Sequence, residues 1–161
     1  MINYIIGDAT IPVTKGPKII VHICNDIGAW GAGFVMALSK RWSQPRIKYQ
    51  RWYKTGGNIF PFELGNVQFV AVEDDIWVAN LIGQRDIKFK DNMSPIRYEA
   101  VKKGLMGVAE FAQNENATVH MPRIGCGLAG GTWDKIEPII KETLVSKGIH
   151  VFVYDLPKLN F

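Results

Sequence analysis

Ile19-Ile20-Val21-His22-Ile23-Cys24-Asn25-Asp26-Ile27-Gly28-Ala29-Trp30-Gly31-Ala32-Gly33 is the stretch on which the reading of this chain turns. Its opening run, Ile19 to Cys24, is apolar on neighbouring positions rather than alternating, and rich in β-branched residues. That pattern fits a strand covered on both faces. A glycine-bearing loop over residues 25–33 follows at once. Val35, Met36 and Leu38 then carry the apolar spacing of a helix that begins near Gly33. Strand, glycine loop and helix in that order are the start of a layered α/β unit.

Working outward, further runs of strand length occur at Tyr4 to Ile6, Val67 to Val72, Ile76 to Ile82, Thr118 to Met121 and Val151 to Tyr154. Helical spacing lies between them. Val101, Leu105, Val108 and Ala112 predict a helix from Pro95 to Asn114, with Ser94 as N-cap and Pro95 at the first position. Ile136, Ile139, Ile140 and Leu144 predict another, stopped by Gly148. Pro138 is then expected in the first turn of that helix or at its start, because an interior proline costs about 3 kcal/mol. Lys48, Arg51 and Lys54, interleaved with Tyr49, Trp52 and Tyr53, read as a solvated helix face with aromatic residues packed beneath it. The alternation predicts one α/β domain over 1–161 with a mixed, mostly parallel sheet.

Composition narrows the function. A chain of 161 residues suits a single core, and 47% hydrophobic with 21% charged residues is ordinary for a globular protein. The net charge of +4 favours anionic ligands, without the dense Lys/Arg run of a nucleic-acid groove. Nucleic acid is not expected as a direct partner on this charge pattern. No apolar stretch approaches the roughly 18 residues of a membrane span. The N-terminus lacks a signal-peptide layout, so no membrane association and a cytoplasmic setting are expected. Cys24 and Cys126 are too few for a disulfide scaffold and read as small packing thiols. No His, Cys, Asp and Glu spacing resembles a zinc site, so no metal and no cofactor are expected. His22 and His120 lie inside apolar runs and read as packed histidines.

A second loop shares the make-up of the first. Arg123-Ile124-Gly125-Cys126-Gly127-Leu128-Ala129-Gly130-Gly131-Thr132 again joins a strand to a helix. Glycines let a ligand approach the backbone, and successive N–H groups near a helix N-terminus hold phosphate oxygens. Two such loops on one rim suit a diphosphate better than a single phosphate. Neither contains G-x-G-x-x-G or the P-loop motif, which argues against a Rossmann dehydrogenase or a P-loop ATPase.

Gly7-Asp8, His22-Ile23-Cys24-Asn25, Trp30-Gly31-Ala32-Gly33, Asn80-Leu81-Ile82-Gly83-Gln84, Met121-Pro122-Arg123-Ile124-Gly125-Cys126-Gly127-Leu128 and Val153-Tyr154-Asp155 together resemble a macrodomain across nearly the whole chain. The resemblance is nearest to the branch of ADP-ribose-1″-phosphate phosphatases and terminal ADP-ribose protein glycohydrolases. It implies a three-layer α/β/α domain that binds ADP-ribose or an ADP-ribosylated molecule. It also implies either hydrolysis at the distal ribose or, in the alternative, binding without chemistry.

By position, the resemblance gives Asp8 the adenine amino group, although Asp8 equally suits a turn cap. Asn25 would face the distal ribose, and also suits an Asx-turn. Gly31, Ala32, Gly33 and Phe34 would wrap that ribose and one phosphate. Gly125, Cys126, Gly127, Leu128 and Ala129 would carry the second phosphate loop, and Tyr154 or Asp155 would border adenine. The glycohydrolases resembled here use a lysine and an aspartate whose positions fall on Gln84 and Ala129. Gln84 cannot form a Schiff base and Ala129 cannot exchange a proton. Asp26, beside Asn25, is then the candidate for activating water, with Asp86 behind it.

Overall fold

A computed structural model describes residues 1–158. The elements run β1 (Ile2–Ile6), β2 (Lys18–Asn25), α1 (Phe34–Arg41), α2 (Gln44–Thr55), β3 (Val67–Glu73), β4 (Ile76–Gln84), α3 (Tyr98–Glu115), β5 (Thr118–Met121), α4 (Trp133–Thr143) and β6 (Val151–Asp155). A short 3-10 turn, Val145–Lys147, follows α4 and ends at Gly148, whose φ is 76°. All six runs read as strands are strands.

They form one sheet in the order β1-β6-β5-β2-β4-β3. Every neighbouring pair is parallel except β3 and β4, which run antiparallel. The mixed sheet is as the sequence predicts.

Strand β2 shows why its sequence is apolar on consecutive residues. Ile19 and Val21 belong to the core under α3 and α4, whereas Ile20 and Cys24 belong to the opposite core under α1. Leu105, Val108, Ile136 and Ile140 fill the first core. Val35, Leu38, Trp42 and Tyr49 fill the second. Each fully buried aliphatic side chain there contributes about 1.5–3 kcal/mol of transfer free energy. Two cores on the two faces of one sheet give three layers. In α2, Tyr49 and Trp52 are buried while Lys48, Arg51 and Lys54 are exposed, as the charge pattern predicts, but Tyr53, expected beneath them as well, is exposed.

Two helix predictions need correction. Helix α3 begins at Tyr98 with Arg97 as N-cap, not at Pro95 under a Ser94 cap. Residues before it are drawn into extended pairing: the Arg97 N–H donates to Gly83 O and the Ile96 N–H to Ala129 O, at 2.8 and 3.0 Å. Tertiary hydrogen bonds therefore override a local capping signal. Pro138 is the other correction, since it lies inside α4, six residues into a helix that starts at Trp133. It sits on the exposed face, and Asp134, whose carbonyl loses its helical donor, is exposed to water. Burial of Ile136 and Ile140 on the other face offsets that loss.

The layering places the site. Strands β2 and β5 are sheet neighbours. The chain leaving β2 enters α1 on one face, and the chain leaving β5 enters α4 on the other. Divergence of two connections to opposite faces opens a crevice at the carboxyl ends of the strands, where α/β sheets bind ligands.

Candidate functional site

The crevice is walled by the two glycine loops and has two lobes. One, of about 240 Å³, is lined by His22, Ala32, Gly33, Phe34, Pro122, Arg123, Gly125, Gly127 and Ala129 among others. The second, of about 310 Å³, is lined by Cys24, Asn25, Ala29, Gly31, Gln84 and Ile87. Leu128 lines both, and a Cβ placed on Gly33 would lie 3.5 Å from its Cδ1. This side chain, 67% exposed, leans across the waist of the groove.

Particular glycines are required by the backbone. Gly33 has φ 84° and Gly125 has φ 72°. A Cβ on Gly125 would also come within 2.8 Å of Ile96 Cδ1. Gly31 and Gly127 differ, since a Cβ on either would meet nothing within 4 Å. Their lack of a side chain serves the open groove rather than the fold. Among the described residues, the backbone N–H groups of 32–35 and of 127–129 find no acceptor. Phe34 and Val35 begin α1, so their N–H groups are the orphan donors of a helix start. The groove is thus edged by donors from both loops, the arrangement that holds phosphate oxygens.

Asn25 is 8% exposed and its carboxamide organises the first loop. Its Oδ1 accepts the Ile27 and Ala29 N–H groups at 3.1 and 2.9 Å, and its Nδ2 donates to Ala29 O at 2.8 Å. The Asx-turn role is therefore present, and the same residue lines the second lobe.

Asp26 is not brought into the groove. Its carboxylate accepts the Asp86 N–H at 2.6 Å. It lines a separate polar cavity with Arg85, Asp86, Lys88 and Lys90. Asp86 has φ 59°, and its own carboxylate caps the Ile87 N–H and pairs with Lys90. The backbone bond to Ile87 and the Lys90 ammonium hold the Asp86 carboxyl below its ordinary range. Both acids tie loops together.

Asp8 makes the turn proposed as its alternative, accepting from the Thr10 N–H and hydroxyl, each at 2.8 Å. It follows β1 on the same sheet end as Asp155, which accepts the Gly7 N–H at 2.8 Å.

Tyr154 is buried and does not line either lobe, and its ring lies beside Gly7, where a Cβ would sit 3.6 Å from its Cδ2. Its hydroxyl accepts from the Val13 N–H at 3.1 Å and lies 2.8 Å from His120 Nδ1. Asp155 instead takes Arg123 in a two-pronged ion pair at 2.9 and 2.8 Å. The guanidinium lies 5.0 Å from the ring centres of both Tyr4 and Trp133. Cys126 packs against the core, its thiol on Ile124 O, and burial raises its pKa. It carries loop backbone, not a nucleophile.

The histidines are packed. His22 bonds Asn80 Oδ1 at 2.6 Å, and burial lowers its pKa to about 4. His120 sits between Thr14, Thr118 and Tyr154, and burial takes it to about 3. The sequence reading missed Tyr49, whose hydroxyl reaches Asn25. The buried aromatic stripe of α2 was its sequence signal. Among the described residues, no group of three His, Cys, Asp or Glu side chains could hold a metal ion. No described helix is long and apolar enough to cross a membrane.

A three-layer α/β domain with paired glycine loops at the switch point of its sheet defines a module for a phosphate-bearing ligand. Known proteins narrow the class. The chain is 51% identical to a macrodomain protein from Streptomyces coelicolor over 96% of this chain and 99% of that one, with a TM-score of 0.85. It is 56% identical to a Bacteroides thetaiotaomicron protein of unknown function over 97% and 98% of the two chains, with a TM-score of 0.93. The chain belongs to the macrodomain family.

Among curated proteins it is 33% identical, over 95% of its length, to a chromodomain-helicase-DNA-binding protein 1-like of Danio rerio. It spans only 15% of that relative. It is 24% identical to an ADP-ribose 1″-phosphate phosphatase of Lodderomyces elongisporus over 96% of this chain and 99% of that one. An ADP-ribose glycohydrolase of Bos taurus is 26% identical over 96% and 91% of the two. No family model matches the sequence.

Proposed function

We propose that the protein binds ADP-ribose, free or attached to another molecule, in the groove between its glycine loops, and hydrolyses the bond at the distal ribose. The carrying observation is the set of backbone donors at 32–35 and 127–129, which find no acceptor among the described residues and line one crevice. Donors from two loops grip a diphosphate, and a lobe on either side of the waist leaves room for a sugar on each side. The distal ribose lies in the lobe of Asn25, Ala29 and Gly31. The adenosine half runs past Pro122 and Arg123 towards Asp8. The curated phosphatase and glycohydrolase relatives support hydrolysis. The free thiols Cys24 and Cys126 support a reducing, cytoplasmic setting, which we also propose.

For a 1″-phosphate substrate, water adds to phosphorus and the bond from phosphorus to the ribose oxygen breaks. The water proton passes through a phosphate oxygen to the departing ribose hydroxyl. The protein orients and neutralises the charge. This division of labour follows from the lining: among the described residues neither lobe holds a carboxylate or a lysine.

The same lining favours a second reading, binding without turnover. One experiment separates them: titration with ADP-ribose by calorimetry, then phosphate release from its 1″-phosphate and ADP-ribose release from a modified peptide or oligonucleotide. Micromolar affinity, about −8 kcal/mol, with turnover is the expected result. Tight binding with no turnover of any substrate leaves the reader. An unmoved melting temperature in millimolar ADP-ribose overturns both.

A further inference from the structure

Helix α2 lies against the loop that carries Asn25, and its contacts are specific. Tyr49 is fully buried, and its hydroxyl lies 2.6 Å from Asn25 O and 2.8 Å from Asn25 Oδ1. One turn on, the Tyr53 ring covers Gly28 so closely that a Cβ there would sit 2.4 Å from its Cδ2. Gln50 between them donates to Gly28 O at 3.3 Å. Trp30 closes the other side of Tyr49, ring centres 5.5 Å apart.

The orientation of the Asn25 amide follows from its partners. Backbone N–H groups of Ile27 and Ala29 only donate, so the atom facing them is the oxygen. The Ala29 carbonyl only accepts, so the atom facing it is the nitrogen. The single Tyr49 hydroxyl proton is shared between Asn25 O and Asn25 Oδ1, which clamps the side chain to its own backbone, and with the two N–H donors it leaves the carboxamide oxygen no free lone pair. One amide hydrogen goes to Ala29 O, and one remains for the lobe that Asn25 lines. Burial pushes the Tyr49 phenol well above its usual range, so it stays protonated and donating.

Resting on the ADP-ribose reading above, we infer that Tyr49 is a positioning residue: it clamps the Asn25 carboxamide, whose orientation Ile27 and Ala29 set, so that the distal-ribose lobe steadily presents a donor and no acceptor. Asn25 then recognises a lone pair, on a ribose hydroxyl oxygen or on a group attached to it. It cannot take a proton from either.

Tyr49→Phe keeps the buried ring and removes only the hydroxyl. The test measures dissociation constants for ADP-ribose and for ADP, which lacks the distal ribose, in the wild type, Tyr49→Phe, Asn25→Ala and the double variant. Loss of one neutral hydrogen bond predicts a roughly five- to tenfold weaker ADP-ribose complex with ADP affinity unchanged. In the Asn25→Ala background, Tyr49→Phe should have no further effect on the ratio of the two affinities. Equal losses for both ligands would make Tyr49 merely structural and overturn the inference. So would an unchanged ratio in the single variant, or an additive loss in the double one. If wild-type protein binds ADP but gains nothing from the distal ribose, the inference falls while phosphate binding stands. If it binds neither, the functional reading itself fails.

Discussion

Gly127→Glu should abolish ADP-ribose binding and leave the fold intact. Gly127 is exposed, lies at the centre of the second loop, and lines the lobe opposite Ala32 and Gly33. A Cβ built on it meets nothing within 4 Å, and it is absent from the glycines of positive φ. The new side chain therefore strains nothing in the unliganded protein. With ligand present, a diphosphate held by the 127–129 donors would lie against the new carboxylate. At an effective dielectric near 20, two like charges at about 5 Å repel by roughly 3 kcal/mol. That alone weakens binding by roughly two orders of magnitude. Displaced phosphate contacts, about 1.5–3 kcal/mol each for charge-assisted bonds, add to it. Calorimetry of ADP-ribose, beside a thermal melt by circular dichroism, gives both quantities. Gly127→Ala is the graded control and should lose far less. A Gly127→Glu protein that melts like wild type and binds within a few fold of it would show that this loop does not touch the phosphates.

Three further outcomes are expected. Gly125→Ala should lower thermal stability by about 1–3 kcal/mol, because φ is 72° and Ile96 Cδ1 blocks the Cβ; an unchanged melt would count against that backbone geometry. Asp8→Ala should weaken ADP-ribose much more than ribose 5-phosphate, and equal losses would remove Asp8 from the adenine end. Stability should fall on acidification below pH 6.5, because His22 and His120 have folded pKa values lowered from 6.5 to about 4 and about 3. Unfolded chains then bind more protons than folded ones, so stability rises with pH across that window, by up to about 1.4 kcal/mol per unit for each histidine. Denaturant melts between pH 6.5 and 5, above the carboxylate range, test it. A His120→Gln variant with the wild-type slope would show that His120 is not the source.

The sequence by itself determined the strands, the presence of two glycine loops and the family. Apolar, β-branched residues on consecutive positions of β2 fit a strand covered on both faces, and that signal is local to the chain. The glycine-rich make-up of both loops was legible too, but which glycines hold positive φ, Gly33 and Gly125 among them, was decided by the fold.

What side chains do within the loops was not legible. Asp26 follows Asn25 in sequence, but the 2.6 Å bond to the Asp86 N–H turns it away from the groove, and those residues lie far apart along the chain. Tyr154 ends on the right strand, yet Val13 and His120 claim its hydroxyl. Ser94-Pro95 carries a good helix-start signal that pairing of 96 and 97 with Ala129 and Gly83 defeats. Tyr49 gave no sign beyond a hydrophobic stripe, because its partner Asn25 belongs to another element. Periodicity and backbone permissiveness are written in neighbouring residues. Hydrogen-bond partners are chosen across the fold, among groups that only the tertiary structure brings within 3 Å.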